Sequence, residues 1–146
     1  MTNRSVPANT LLPHIVYRDT AAAMKWLNAT FGFVEHYRYG APDAPSGVQA
    51  SLGDAWIMLK QARDGYASPA TAGVQTQTLT IFVEDVDAHY ARTQTARAKI
   101  VEELHETGYG ERQYGVLDLE QHHWLFSRHA QDVNPSDWGA IVANPR

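Results

Sequence analysis

The sequence contains no cysteine. That excludes disulfides, thiolate nucleophiles and cysteine-ligated zinc, and it agrees with a reducing cytoplasm. Basic residues are few: 12 Lys and Arg stand against 16 Asp and Glu, for a formal net charge of −4 and a pI of about 5.9. Such a balance builds no basic face for a phosphate backbone, so nucleic acid is not an expected partner. No apolar run approaches the roughly 20 residues that a membrane-spanning helix needs. The opening residues 1–7 lack the apolar core of a signal peptide, so no membrane partner is expected. What remains is 146 residues, 44% hydrophobic and 19% charged, the composition of one soluble domain with its own core.

The chain carries an internal repeat. Leu11-Leu-Pro-His-Ile-Val-Tyr-Arg-Asp19 is an apolar run ending in an acid, and a helical stretch follows it. Thr78-Leu-Thr-Ile-Phe-Val-Glu-Asp85 does the same, again ahead of a helical stretch. Asp19 and Asp85 lie 66 positions apart (85 − 19), a little under half the chain. Asp19 or Thr20 caps the first helix. Ala23, Met24, Leu27 and Phe31 give it one apolar face, and Gly32 ends it. Strands are expected at about 12–18 and 33–39, a turn over 41–47, and a hairpin of 48–52 and 55–60 closed at Gly53-Asp54. Residues 1–10 read as a lead-in and 62–75 as a linker. A second set follows: a strand at about 76–84, a helix from Asp85 to about 97 with Val86, Tyr90 and Ala91 inward, and a strand over 99–104. A hairpin of 113–118 and 123–127 and a tail over 130–146 complete it. The expected class is α+β: one domain of two βαβββ modules, about 11–61 and 76–129, sharing a cleft.

Three local stretches add to the repeat. Arg18-Asp19 leads into a helix ending Phe31-Gly32-Phe33. Val83-Glu84-Asp85-Val86-Asp87 opens the second helix, and Tyr109-Gly110-Glu111-Arg112 precedes Asp118-Leu-Glu-Gln-His-His-Trp124. With these, the chain resembles the vicinal oxygen chelate superfamily of glyoxalases, bleomycin resistance proteins and dioxygenases, over residues 10–129. The Tyr-Gly-x-Arg element is closer to its bleomycin-resistance-like and PhnB-like branches. The last stretch departs from the family's Asp-Pro-x-Gly-His-x-Trp turn at Leu119 and Gln121, where proline and glycine are usual. Gly and Pro are what make a tight turn cheap, so a less sharp turn is expected.

Catalytic members of that superfamily hold a divalent metal in the cleft. Carrying their ligand positions over gives Leu12, Met58, Thr78 and Leu125, none of them a competent ligand in an oxygen- and nitrogen-rich site. A slip of two residues keeps a strand side chain on the same face and brings in His14 and His123. The same-face neighbours of Met58 are Trp56 and Lys60, and those of Thr78 are Thr76 and Thr80. No third ligand appears, so no metal and no other cofactor is expected. His122 and His123 are adjacent on a strand and point to opposite faces.

The candidate ligand-binding residues are His14, Trp56, Met58, Phe82, Tyr109, Arg112, His123 and Leu125. Each has two readings. His14 and His123 serve as cleft bases, or as strand histidines bonded to a neighbour. Trp56 stacks on a flat ligand, or packs in the core. Arg112 pairs with an anionic ligand group, or with Glu102, Glu103 or Glu111. Leu12 and Tyr114 are further candidates for the lining, Trp124 is assigned to the core and Trp26 to packing or an interface. The acidic residues Glu102, Glu103, Glu106 and Glu111 read as a solvated edge.

The resemblance implies a metal-free binding protein that sequesters a drug or natural product, as in antibiotic resistance, in a cytoplasmic homodimer with the cleft formed between chains. The alternative it implies is a lyase, isomerase or dioxygenase with a non-canonical or absent metal site, His14 or His123 acting as base in a metal-free form. A housekeeping or interaction role on the same fold is a third reading.

Overall fold

The computed structural model describes residues 2–5 and 11–144, and within them the repeat is physical. The first module runs β1 (His14–Tyr17), α1 (Thr20–Phe31), β2 (Val34–Ala41), β3 (Ala44–Leu52) and β4 (Ala55–Gln61). A one-turn helix, α2 (Pro69–Ala72), interrupts the connecting segment. The second module runs β5 (Thr78–Phe82), α3 (Val86–Thr95), β6 (Lys99–Glu106), β7 (Glu111–Leu117) and β8 (His123–His129). Each module forms a four-stranded sheet, ordered β1-β4-β3-β2 and β5-β8-β7-β6. First and last strands of a module pair in parallel and the others antiparallel. The α+β class and the two βαβββ modules are as expected.

Both helices begin alike. The Asp19 carboxylate accepts from the Ala22 N–H at 3.0 Å, and the Asp85 carboxylate from the Ala88 N–H at 2.9 Å. Each cap satisfies an otherwise free backbone donor, a contribution of about 1 kcal/mol. Gly32 ends α1 at φ +89, donating back to the Leu27 and Asn28 carbonyls. A side chain there would be strained, and its Cβ would sit 3.1 Å from the Arg92 guanidinium. Arg92, on α3, donates to the Asn28 carbonyl at 2.8 Å, so one module closes the helix end of the other.

Alternating burial assigns the strand faces. Ile15, Tyr17, Val48, Ala50, Ile57 and Leu59 turn toward α1 and join Ala23, Met24, Leu27 and Phe31 in the core. Ile81, Val116, Trp124 and Phe126 do the same in the second module. The two halves make one core. The Phe31 ring meets Trp124 at 5.7 Å and Phe126 at 4.8 Å, both edge-on, and Phe33 meets Trp124 at 5.7 Å. Pairs of this geometry contribute about 0.5–1.5 kcal/mol each beyond their buried area.

The β7–β8 turn fastens the modules together. Asp118 is buried and accepts from four donors: the Tyr17 hydroxyl at 2.7 Å, the Trp124 indole N–H at 3.1 Å, and the backbone N–H groups of Glu120 and His122 at 2.9 and 3.0 Å. Glu120, also buried, accepts from the Arg18 N–H at 2.7 and 2.8 Å, and His122 Nε2 donates to the Val16 carbonyl at 2.7 Å. The turn survives without the family's glycine because Gln121 itself adopts φ +69, at a cost of roughly 1–2 kcal/mol for an L-residue.

Several expectations are corrected. The 41–47 turn shrinks to Pro42-Asp43, because β2 reaches Ala41 and β3 starts at Ala44, with register shifts between Glu35 and Tyr37 and between Tyr39 and Gly40 absorbing the Gly and Pro residues. Gly47 lies under the Tyr39 ring, where any Cβ would collide with it. Ala91 is exposed, and Thr93 takes the inward position by returning its hydroxyl to the Tyr90 carbonyl at 2.8 Å. Strands β1 and β5 are shorter than expected. The lead-in over residues 1–10 lies outside the described residues except for 2–5, and the last two residues of the tail lie outside them too. Trp138 of the tail packs edge-on against Tyr109, ring centroids 5.8 Å apart.

Asp118→Ala leaves an indole, a phenol and two backbone N–H groups buried without their acceptor. We expect it to lower stability by about 3 kcal/mol. Urea denaturation measures this directly, and Tyr17→Phe, which removes one donor only, is expected to cost about half as much.

Candidate ligand-binding site

The faces turned away from the helices carry most of the expected site residues. On the first sheet, β1–β4 register pairs His14 with Met58 and Val16 with Lys60. Trp56, Met58 and Lys60 alternate along β4 on that open face, opposite Ile57 and Leu59. Gln49 pairs with Met58 on the β3 side, and Ser51 with Trp56. His36 joins them from the irregular part of β2. Its Nδ1 donates to the Gln49 Oε1 at 2.7 Å, and its ring meets Trp56 edge-on at 5.4 Å. Gln49 is fully buried, and its Nε2 has no hydrogen-bond partner in the protein. An unpaired buried amide donor costs about 1–3 kcal/mol.

On the second sheet, Thr78, Thr80 and Phe82 pair in parallel with His123, Leu125 and Ser127. This open face therefore holds Phe82, His123 and Leu125. Thr78 Oγ1 and His123 Nδ1 are 2.7 Å apart, so the ring has a neighbour of its own. A buried polar chain crosses the sheet: Ser127 Oγ donates to Gln113 Oε1 at 2.8 Å, and Gln113 Nε2 donates to the Tyr109 hydroxyl at 2.7 Å and to Glu102 at 3.1 Å. Tyr109 is thus tied to the same face.

Arg112 is not brought to either group. It lies on the opposite side of β7 from Gln113, and its guanidinium grips Asp87 at the start of α3 at 2.9 Å. Arg112 raises the charge preference of Asp87, holding its carboxyl below the usual range mainly through that hydrogen bond. The acid it finds is none of Glu102, Glu103 or Glu111. Tyr114 is fully buried among His89, Tyr90 and Phe126 and lines nothing. Leu12 precedes β1, half-buried, and Trp124 is core as expected.

A cavity of about 880 Å³ lies between the modules. The β3–β4 turn (52–55) forms one side, and the end of β5 with the start of α3 forms the other. Among the eight expected residues only Phe82 lines it, together with His89 and Arg92.

The family model of the glyoxalase/bleomycin resistance protein/dioxygenase superfamily matches residues 10–126. The chain belongs to this superfamily. Among solved structures, that of TioX from Micromonospora sp. ML1 is 30% identical, covers 86% of this chain and all of that one, and superposes with a TM-score of 0.70. TnmS3, an antibiotic binding protein from Streptomyces sp. CB03234, shares the fold at 18% identity and a TM-score of 0.66, covering 82% of this chain and 93% of that one. An uncharacterized Mycobacterium bovis protein is 29% identical over 142 residues, 92% of each chain.

The divalent ion that catalytic superfamily members hold does not fit these residues. Met58 and Leu125 sit at the strand positions where donors are needed, and Thr78 is engaged by His123. Among the described residues no three of His, Asp and Glu converge as a cation site. The side chains that sequence reasoning missed are His36, Gln49, Gln113 and Ser127. Strand alternation around Val48 and Phe126 was the available signal for Gln49 and Ser127, whereas the irregular β2 hid His36.

His89 is the titratable group built most firmly into the seam beside the large cavity. Its Nε2–H donates to the Phe31 carbonyl at 2.8 Å, which leaves Nδ1 to accept from the Tyr114 hydroxyl at 2.5 Å. Burial lowers its pKa from the usual 6.5. The folded state therefore prefers the neutral ring. Its contribution to stability is complete above pH about 6.5 and is lost as pH falls through the lower folded value. Melting temperature followed from pH 7.5 to 5 is expected to fall, and His89→Gln is expected to flatten that slope.

Proposed function

We propose that this protein binds a flat or amphipathic small molecule without a metal, in the cytoplasm, as a homodimer in which open sheet faces from two chains complete the cleft. The observation that carries the reading is the set of large apolar and aromatic side chains on faces that the helices do not cover. Trp56 and Met58 stand on one such face, and Leu125 and the 62% exposed Phe82 on the other. The fused core of Phe31, Phe33, Trp124 and Phe126 has no use for them. A ligand does, because apolar walls with a few placed polar groups are what small-molecule sites are made of. His14, His123 and Tyr109 supply the polar groups. Each open face is one wall, and a second copy of the chain supplies the facing one. The likeness to TnmS3 supports an antibiotic or related natural product as the ligand class, held by sequestration with no bond broken. Arg112, already paired with Asp87, holds the strand rather than the ligand in this reading.

Elemental analysis of protein purified without chelators is expected to find far less than one divalent ion per chain; about one per chain overturns the metal-free reading. A thermal-shift screen over aromatic antibiotics and glutathione adducts finds ligands through their stabilisation of the folded state. For any ligand so found, Trp56→Ala is expected to weaken binding about ten-fold, or ~1.4 kcal/mol. Unchanged affinity shows that the open face of the first sheet is not where the ligand lies.

A further inference from the structure

One small cavity has a charge character unlike the rest of this acidic chain. It has a volume of about 190 Å³ and is lined by His14, Val16, Lys60, Gln61, Arg63 and Tyr66. Three of the six are basic residue types and none is acidic. Lys60 stands one step beyond Met58 on the open face of the first sheet, in register with Val16 on β1 and Gly47 on β3. Its Nζ donates to the Tyr39 hydroxyl at 2.6 Å and sits 5.3 Å from the centre of that ring. Arg63 follows the end of β4. Its guanidinium lies over the Tyr66 ring at 4.6 Å, and two backbone hydrogen bonds between Arg63 and Tyr66, at 3.0 and 2.8 Å, fix the loop that presents it.

Among the described residues neither cation has a counter-ion. Among the described residues Arg18, Arg38 and Arg112 each meet a carboxylate, but Lys60 and Arg63 meet none. They are held by aromatic rings, a phenol and the backbone, so the protein positions them without neutralising them. The open face around them adds no carboxylate among the described residues Val16, Met58, Trp56, Gln49, Ser51, His14 and His36. Two cations without carboxylate partners beside one cavity favour an anion there, through charge attraction and charge-assisted hydrogen bonds.

We propose that this cavity is an anion subsite, receiving the acidic group of the ligand while its aromatic body lies over Met58 and Trp56. The inference rests on the binding reading above and narrows it to aromatic acids: carboxylates, sulfonates or phenolates. Lys60 and Arg63 bind the anion, and His14 closes the cavity from β1.

The test compares two probes that differ in charge alone. Binding of 2-naphthoate and 2-naphthamide is measured by titration calorimetry at low salt on the intact protein. The acid is expected to bind at least ten-fold more tightly, with the difference shrinking as salt is raised, because screening weakens exposed charge pairs. Lys60→Met with Arg63→Leu is expected to bring the two probes within two-fold of each other, with the acid losing more affinity than the amide. Lys60→Arg, which keeps the charge, is expected to keep the preference, and circular dichroism confirms that each variant is folded. Equal binding of the two probes to the native protein overturns the anion subsite and leaves the binding face standing. A preference that survives in the double variant also overturns it. Binding of neither probe overturns both the subsite and the aromatic-binding face on which it rests.

Discussion

A carboxylate taken out of water is tolerated only when its lone pairs are filled, and Asp118 fills them with groups from three places. The phenol comes from β1, the indole from β8 and two N–H groups from its own turn. Burial pushes the Asp118 carboxyl up, and the nearby His122 ring together with the Tyr17 hydroxyl, the Trp124 indole and the Glu120 N–H works against that by favouring the ionised form. The Tyr17 hydroxyl, buried against that carboxylate, is pushed well above the usual range. Geometry follows from this requirement. The placement of β1 that brings the Tyr17 hydroxyl to Asp118 also delivers the Arg18 backbone to Glu120. The relative position of the two sheets, and so of their open faces, depends on it.

Much of this was legible in the sequence because it is local. Two aspartates after apolar runs announced two capped helices, Gly32 announced the stop, and alternation along β4 placed Trp56, Met58 and Lys60 together. What was not legible depends on partners distant in the chain. Arg112 was matched with acids near it in sequence, yet it reaches Asp87, 25 positions away and close only once α3 packs on the second sheet. The phase of Tyr114 needed the β7–β8 pairing. The 41–47 segment looked like a turn because Pro and Gly mark turns on average. Irregular pairing lets a strand absorb both residues, and it also moves His36 to where alternation alone does not put it. A buried glutamine with a free amide is invisible to composition altogether.

The repeat and the chemistry separate cleanly here. The superfamily's architecture needs two capped helices, two sheets and a gripping turn, and the chain keeps all of these. The superfamily's metal needs convergent donors at strand positions that this chain fills with Met58 and Leu125. Polar capacity has moved elsewhere: to the Ser127–Gln113–Tyr109 chain on one face, and to Gln49 and the basic cavity on the other. A fold that tolerates such relocation can keep its pocket while changing what the pocket recognises.

The two modules are not equally endowed at their seams. Where the second module sends the five residues 118–122 into the first, the first answers with only Gly53 and Asp54 between β3 and β4. One side of the molecule is therefore closed by buried carboxylates, and the other is left as the 880 Å³ opening beside Phe82. Prising apart the closed side strands Asp118 and Glu120, and widening the open side breaks the bonds from His89 to the Phe31 carbonyl and from Arg92 to the Asn28 carbonyl. The halves are thus pinned at both edges, by carboxylates that accept at one and by main-chain carbonyls that accept from His89 and Arg92 at the other.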